Sequence, residues 1–160
     1  MSPSIRQTGT GIIPDIVSRI RADYDHRKHI DTPVLATPGV TVGCDFTGTV
    51  VALGSKVTKD YRPGDRIAGV AHGSNQTQSE DGTFGEYCLV KEGVTFKVPD
   101  HMSDEKAATV GVAVTTVGLA LYGKLGMPMP GSQKTGEGQW LLVYGGSTAT
   151  GSVAIQSAVL

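Results

Sequence analysis

The sequence predicts a mixed α and β chain: a β-rich portion, then a buried helix, then a linker and one strand–turn–helix unit. Three observations carry this. Most of the chain's 22 glycines fall singly, many of them between short runs rich in Val, Ile and Thr, which is how turns punctuate a β-rich domain. Beyond residue 103 the period changes, and Val112 to Tyr122 is apolar almost all round, as a buried helix is. Trp140 to Tyr144 is a continuous apolar run, followed by a glycine-rich turn and a helix-compatible stretch. Such a run suits a parallel strand buried on both faces.

The elements follow in order. Pro14, ahead of Asp15, Ile16, Val17 and Ile20, predicts one or two helical turns with proline in the first position. Arg19 to His29 is crowded with charge, so residues 1–32 are set apart as an atypical N-terminal segment. Phe46 to Leu53 reads as a strand and Gly54-Ser55 as its turn. Pro63-Gly64 pairs a fixed φ with a residue tolerant of positive φ, the recipe for a type II turn. Arg66 to Val70 is a second strand, and the polar stretch His72 to Thr83 a surface loop. Phe84 to Val90 alternates as a strand does, and Thr95 to Val98 is a short strand ended by Pro99. Ser103 is placed as a helix N-cap, with Asp104 and Glu105 in the first turn against the helix dipole. Gly123 is the expected C-cap of the helix over 112–122. Gly131 to Gly138 is a flexible connector, Trp140 to Tyr144 the strand, and Ala149 to Leu160 the last helix.

Composition narrows the function classes. Lys and Arg number 14 against 15 Asp and Glu, a net charge of -1. That gives no electrostatic argument for nucleic acid or an anionic membrane surface. No apolar run approaches the roughly 20 residues of a membrane span, and the N-terminus lacks the apolar stretch of a signal peptide. The two cysteines, Cys44 and Cys88, sit among apolar neighbours in sequence. They are expected to be buried free thiols in a reducing, cytoplasmic setting.

The chemistry-bearing turn is Gly145-Gly146-Ser147-Thr148-Ala149-Thr150-Gly151. Between a buried strand and a helix, glycines let the backbone approach a pyrophosphate, and the helix start offers free N–H groups and a positive dipole end. Ser147, Thr148 and Thr150 add hydroxyls. A triphosphatase loop would need Lys and then Ser or Thr after the second glycine of its pair; Ser152 and Val153 stand there instead. The strict Gly-x-Gly-x-x-Gly pattern is also absent, so on residues alone a nucleotide site and an ordinary tight turn both remain open. A catalytic zinc needs three protein ligands. Cys44, Asp45 and His72 are the suggestive groups, and no Cys-x-x-Cys occurs, so no metal is expected. No Gly-x-Ser-x-Gly elbow is present either.

The order of motifs resembles that of the medium-chain dehydrogenase/reductase superfamily, in its zinc-free enoyl- and quinone-reductase branch. Gly43-Cys44-Asp45-Phe46-Thr47-Gly48-Thr49-Val50, Gly54 and Pro63-Gly64-Asp65-Arg66-Ile67 resemble the entry of its GroES-like catalytic domain. Gly82-Thr83-Phe84-Gly85-Glu86-Tyr87 is similar to its next strand, and Ala107-Ala108-Thr109-Val110-Gly111-Val112 with Thr116 to its buried helix. Leu142-Val143-Tyr144-Gly145-Gly146-Ser147 to Gly151, then Ala154-Ile155-Gln156, is similar to its cofactor loop and first Rossmann helix. Within the branch the chain is most similar to fungal-type trans-acting enoyl reductases that partner polyketide synthases. Arg27-Lys28-His29-Ile30 resembles the tail of that group's Asn-Pro-x-Asp-Trp-Lys-His-Ile motif, with Asn-Pro absent and His26 and Arg27 departing from it. Thr148 stands where quinone reductases usually place glycine.

The resemblance implies a partial GroES-like catalytic domain over 33–124, with its β-barrel portion over about 33–98 and its buried helical region over about 103–123, and the first strand–turn–helix of a Rossmann domain over 125–160, truncated, with the catalytic domain's first strands missing or replaced. It implies NADPH-dependent reduction of the C=C bond of an α,β-unsaturated thioester or ketone, the acyl group carried by a polyketide synthase. The alternatives are a quinone or enone reductase of the same branch and a non-catalytic fragment. Gly145, Gly146, Ser147, Thr148, Ala149, Thr150 and Gly151 would hold the cofactor's pyrophosphate. Thr116 would sit near the nicotinamide, its ordinary alternative being a helix threonine bonded to its own backbone. Lys28 would polarise the substrate carbonyl, its ordinary alternative being a solvated lysine in a charged run.

Overall fold

The structure is a computed structural model that describes residues 15–20, 39–132 and 140–159. Five antiparallel strands form one sheet, in the order β4-β1-β2-β3-β5. They are β1 (Asp15–Ile20), β2 (Asp45–Leu53), β3 (Arg66–Val70), β4 (Tyr87–Lys91) and β5 (Thr95–Lys97). The helices are α1 (Asp104–Ala107), α2 (Gly111–Gly118), a wider π turn over Leu119–Lys124, and α3 (Ala149–Ala158).

Strand β1 corrects two expectations at once. Asp15 to Ile20 is extended, not helical, and it pairs with both β2 and β4. Local proline chemistry favoured a helix, but two neighbouring strands offer its backbone ladder partners on both sides, and tertiary pairing overrides propensity. A first strand of the sheet is therefore present, inside the segment that sequence reading set apart. The register shifts between Val17 and Ser18, which pair with Ala52 and Val50. This is a bulge, the device that curls a sheet.

The middle of the chain follows its pattern. Strand β2 is rich in β-branched residues, and Phe46 and Val50 are buried while Thr49 is exposed. Between β2 and β3 the Asp65 N–H donates to the Arg62 carbonyl at 3.0 Å with Gly64 at φ +96, the type II turn the sequence called for. Phe46, Val50, Tyr61, Ile67, Cys88 and Val90 form the main core. A second cluster, Ala68, Val98 and Ala107, seats α1 on the opposite face of β3. Strand β4 begins at Tyr87, three residues later than expected, because the Phe84 and Gly85 N–H groups are drawn to the Val42 and Thr83 carbonyls instead.

Polar ties fix the connections. Glu92 accepts the N–H groups of Thr58 and Lys59, each at 2.8 Å, and the Thr58 hydroxyl at 2.9 Å. The Tyr61 hydroxyl donates to the Thr95 carbonyl at 3.0 Å. Arg66 grips Asp104 through Nε and Nη2 at 3.0 and 2.6 Å, and its Nη2 also donates to the Met102 carbonyl at 2.8 Å. The loop over 72–83 folds around the buried pair Asn75 and Asp81, bonded at 3.0 Å, with Lys91 Nζ 3.3 Å from Asp81.

Ser103 caps α1 as expected, accepting the Lys106 N–H. Helix α2 with the π turn that continues it is longer and less buried than expected. The π turn carries it past Gly123 to Lys124, and Gly126, at φ +67, stands just beyond its end. Gly111, Ala113, Val117 and Leu121 face inward, while Val114 and Leu119 are exposed. The stretch Asp104–Lys124 is long and apolar enough to cross a membrane by length and composition alone; here its helices pack on β2, β3 and α3. Part of the connector, residues 133–138, lies outside the described residues.

Trp140 to Tyr144 does not form the expected strand. Residues 140–143 form no strand, and Trp140 and Tyr144 are fully exposed. A strand exists through its ladder bonds, and among the described residues none pairs with this run.

Candidate functional site

The loop ahead of α3 is closed by one side chain. Thr148 is the N-cap in extended conformation. Its Oγ1 accepts the Gly151 N–H at 3.0 Å and donates to the Gly145 carbonyl at 2.8 Å. The Thr148 N–H also donates to the Gly145 carbonyl, at 3.0 Å. Gly145 holds φ +83, a conformation open to glycine. A Cβ on Gly151 would run into the Gly145 carbonyl oxygen, and one on Gly146 would lie 2.9 Å from Ile155 Cδ1. The loop thus lies directly on the first turn of its helix.

This geometry leaves donors free. The Ala149 and Thr150 N–H groups have no acceptor among the described residues, as expected for a helix start. Ser147, Thr148, Ala149 and Thr150 are exposed, and Gly145 and Gly146 half-buried. No charged side chain occurs from Gly145 to Gly151, so the positive dipole end is unopposed locally. The arrangement fits the pyrophosphate of a dinucleotide: close backbone approach, free N–H groups and two spare hydroxyls, Ser147 and Thr150. The Thr148 hydroxyl, expected to be a third, is spent in the cap.

Thr116 lies on the exposed side of α2, and its hydroxyl makes no hydrogen bond among the described residues. The threonine bonded back to its own helix is Thr115, whose Oγ1 donates to the Gly111 carbonyl at 2.9 Å. Helix α2 packs on α3, and the Tyr122 hydroxyl donates to the Ser157 carbonyl at 3.5 Å. The helices bearing Thr116 and the loop are therefore in contact, although no hydrogen bond joins Thr116 to the loop. Lys28 lies outside the described residues.

The two thiols part company. Cys88 is buried as expected, and burial pushes its thiol up to about 12. Cys44 is exposed, because it precedes β2 at the mouth of the sheet rather than within it. Among the described residues no three His, Cys, Asp or Glu side chains gather as a metal site.

Sequence reading weighed Asp45 as a metal ligand. Its Oδ1 instead accepts the Val112 N–H at 2.7 Å. The partners are 67 residues apart, so no local pattern could pair them. The one available signal was negative: Val110 stands where α2 needs a capping side chain.

The alcohol dehydrogenase GroES-like domain family matches residues 8–100. The trans-enoyl reductase resD of Aspergillus sclerotiorum is 42% identical over 143 residues, 83% of this chain and 40% of that protein. The trans-enoyl reductase TOXD of Cochliobolus carbonum is 44% identical over 126 residues, 79% of this chain and 42% of that protein. The chain spans about two-fifths of the length of these relatives. An alcohol dehydrogenase superfamily structure from Novosphingobium aromaticivorans superposes with a TM-score of 0.68 at 24% identity, covering 94% of this chain and 44% of that one. A mycobacterial protein solved in complex with NADPH superposes with a TM-score of 0.59 at 21% identity, covering 96% of this chain and 44% of that one. At these identities the superpositions speak for the fold.

Proposed function

The chain belongs to the alcohol dehydrogenase GroES-like domain family, within the medium-chain dehydrogenases/reductases, and on that premise we propose that it supplies the barrel and the first cofactor-binding turn of an NADPH-dependent enoyl reductase. The observation that carries this is the loop Gly145 to Gly151, closed by Thr148 with the Ala149 and Thr150 N–H groups left free. The identity of 42–44% to trans-enoyl reductases supports the choice of reaction.

Gly145, Gly146 and Gly151 let the backbone close on the pyrophosphate. Ala149 and Thr150 donate N–H groups to it, Ser147 and Thr150 hydroxyls, and Thr148 holds the loop in shape. Thr116 orients the nicotinamide or the substrate through its free hydroxyl. Lys28 hydrogen-bonds the substrate carbonyl and stabilises the enolate-like charge that develops there. When bound, NADPH supplies the hydride that adds to the β-carbon of an α,β-unsaturated thioester or ketone, with a proton completing the reduction at the α-carbon. The substrate is an acyl thioester of secondary metabolism carried by a polyketide synthase, the reaction is independent of zinc, and the setting is cytoplasmic.

The test is NADPH oxidation by the protein expressed from its gene, with an α,β-unsaturated thioester and, separately, a quinone. Turnover of the thioester is expected; turnover of the quinone alone would move the assignment to quinone reduction. Gly146→Val should weaken NADPH binding at least about tenfold by blocking close approach, and unchanged binding would remove the loop from the site. The 160 residues by themselves hold only the pyrophosphate contacts of the loop Gly145 to Gly151 and the start of α3, and are expected to bind NADPH weakly and show negligible turnover. A micromolar dissociation constant for them by isothermal titration, about -8 kcal/mol, would overturn that expectation.

A further inference from the structure

We propose that Asp45 is a positioning residue: its carboxylate fixes the start of α2 on the sheet and so sets where Thr116 and the α3 loop stand. The consequence for catalysis rests on the function proposed above; the anchoring of α2 does not.

Asp45 opens β2, and its Oδ1 accepts the Val112 N–H at 2.7 Å. The first four N–H groups of a helix lack acceptors within it. Helix α2 has no local side-chain cap, since Val110 occupies the N-cap position. A strand carboxylate therefore does what a capping residue does elsewhere, and its negative charge faces the positive end of the helix. The approach is close. A Cβ on Gly111 would run into the Gly69 carbonyl oxygen of β3 and lie 2.8 Å from Asp45 Oδ1. Asp45 also pairs with Val70 in the ladder between β2 and β3. The sheet holds its backbone while the helix holds its side chain.

Val112 and Thr116 are four residues apart in α2 and stack on one face of it. The carboxylate thus holds the first turn of the helix whose next turn carries Thr116 on its exposed side. Beyond that face, α2 and its π turn pack on α3, where Tyr122 bonds Ser157. One side chain thereby links the barrel to both halves of the proposed site.

The test uses Asp45→Ala, which removes acceptor and charge, and Asp45→Asn, which keeps an acceptor oxygen. Amide hydrogen exchange in Asp45→Ala should quicken at least about tenfold at Val112 and its neighbours, with Ile67 and Val90 changed less than about threefold. Asp45→Asn should restore most of the protection. In the protein expressed from its gene, kcat should fall at least about tenfold in Asp45→Ala while KM for the enoyl substrate moves less than about threefold, as misplacement of a bound reactant predicts. Asp45→Asn should recover kcat. If Asp45→Ala does not fold, Gly111→Ala carries the same comparison, because its Cβ would meet both the Gly69 carbonyl oxygen and Asp45 Oδ1 and so part the Val112 N–H from the carboxylate. Unchanged exchange at Val112, or an equal rise across the whole sheet, would overturn the proposal. If the unaltered protein reduces no enoyl substrate, the proposed function falls and the exchange pattern still decides the role of Asp45.

Discussion

The barrel and the C-terminal unit are written in similarly apolar residues and end up in opposite environments. Ile67 is wholly buried, and Phe46 and Val90 nearly so, whereas Trp140 and Tyr144 are fully exposed and Leu142 is 92% exposed. The difference lies in the partners each topology requires. Antiparallel strands can find a neighbour through a local connection, as β2 finds β3 across residues 54–65. A parallel strand needs a crossover and a second strand, and none among the described residues reaches the run over 140–144. An apolar run records that burial is wanted; it does not record against what.

The largest effect should come from breaking the barrel side of this contrast. Ile67 joins the core of Phe46, Val50, Tyr61, Cys88 and Val90. Ile67→Ala should cost about 2–5 kcal/mol, read from the midpoint of denaturant unfolding. A cost below about 1 kcal/mol would mean that this core is loosely packed and that the two regions differ less than their exposures indicate.

A smaller and more local effect should follow from Gly151→Ala. The added Cβ would meet the Gly145 carbonyl oxygen, so loop and helix must separate, at about 1–3 kcal/mol for overpacking of this kind. Hydrogen exchange should rise in α3 and stay unchanged in β2 and β3. A matching rise in the sheet would show that the two regions unfold as one unit.

How far the sequence could be read follows the same division. The turn at Pro63-Gly64 and the Ser103 cap were legible because each depends on neighbours within a few residues, and strand β3 because its own composition agrees with its distant pairing. Strand β1 was misread because its identity comes from β2 and β4, which lie tens of residues away. The Thr148 cap was half legible: its place before a helix was evident, but its use in closing the loop, at the expense of a ligand contact, depends on Gly145 taking positive φ. The Asp45 bond to Val112 left no local trace at all.

Glu92 offers a gentler test of the barrel, through pH. The backbone N–H of Lys59, with the N–H and hydroxyl of Thr58, holds its carboxyl below the ordinary value of 4.5. A carboxyl lowered in the folded state contributes stability that is complete above its unfolded pKa and disappears as pH falls through the folded one. The stability advantage of the unaltered chain over Glu92→Gln should therefore shrink between about pH 5 and about pH 3. Thermal unfolding across that range is the measurement. An advantage independent of pH would show that the charge of Glu92 is not what ties the Thr58 loop down.

The smallest expected effect is the most discriminating. Trp140 is the chain's single tryptophan, and in the structure it touches solvent on every side. Trp140→Ala on the 160-residue chain should change stability by less than about 0.5 kcal/mol, as surface substitutions do, although tryptophan truncation in a core costs about 3–5 kcal/mol. Because the indole is unique, its fluorescence reports this site alone. It should show the emission of a water-exposed indole and be quenched freely by iodide. A blue-shifted, protected indole together with a cost above about 1 kcal/mol would mean that the run over 140–144 has found neighbours in solution. Dilution then separates the sources. Protection lost on dilution would place a second copy against the exposed run; protection that persists would place residues of the same chain there. Either result would erase the contrast between the two regions.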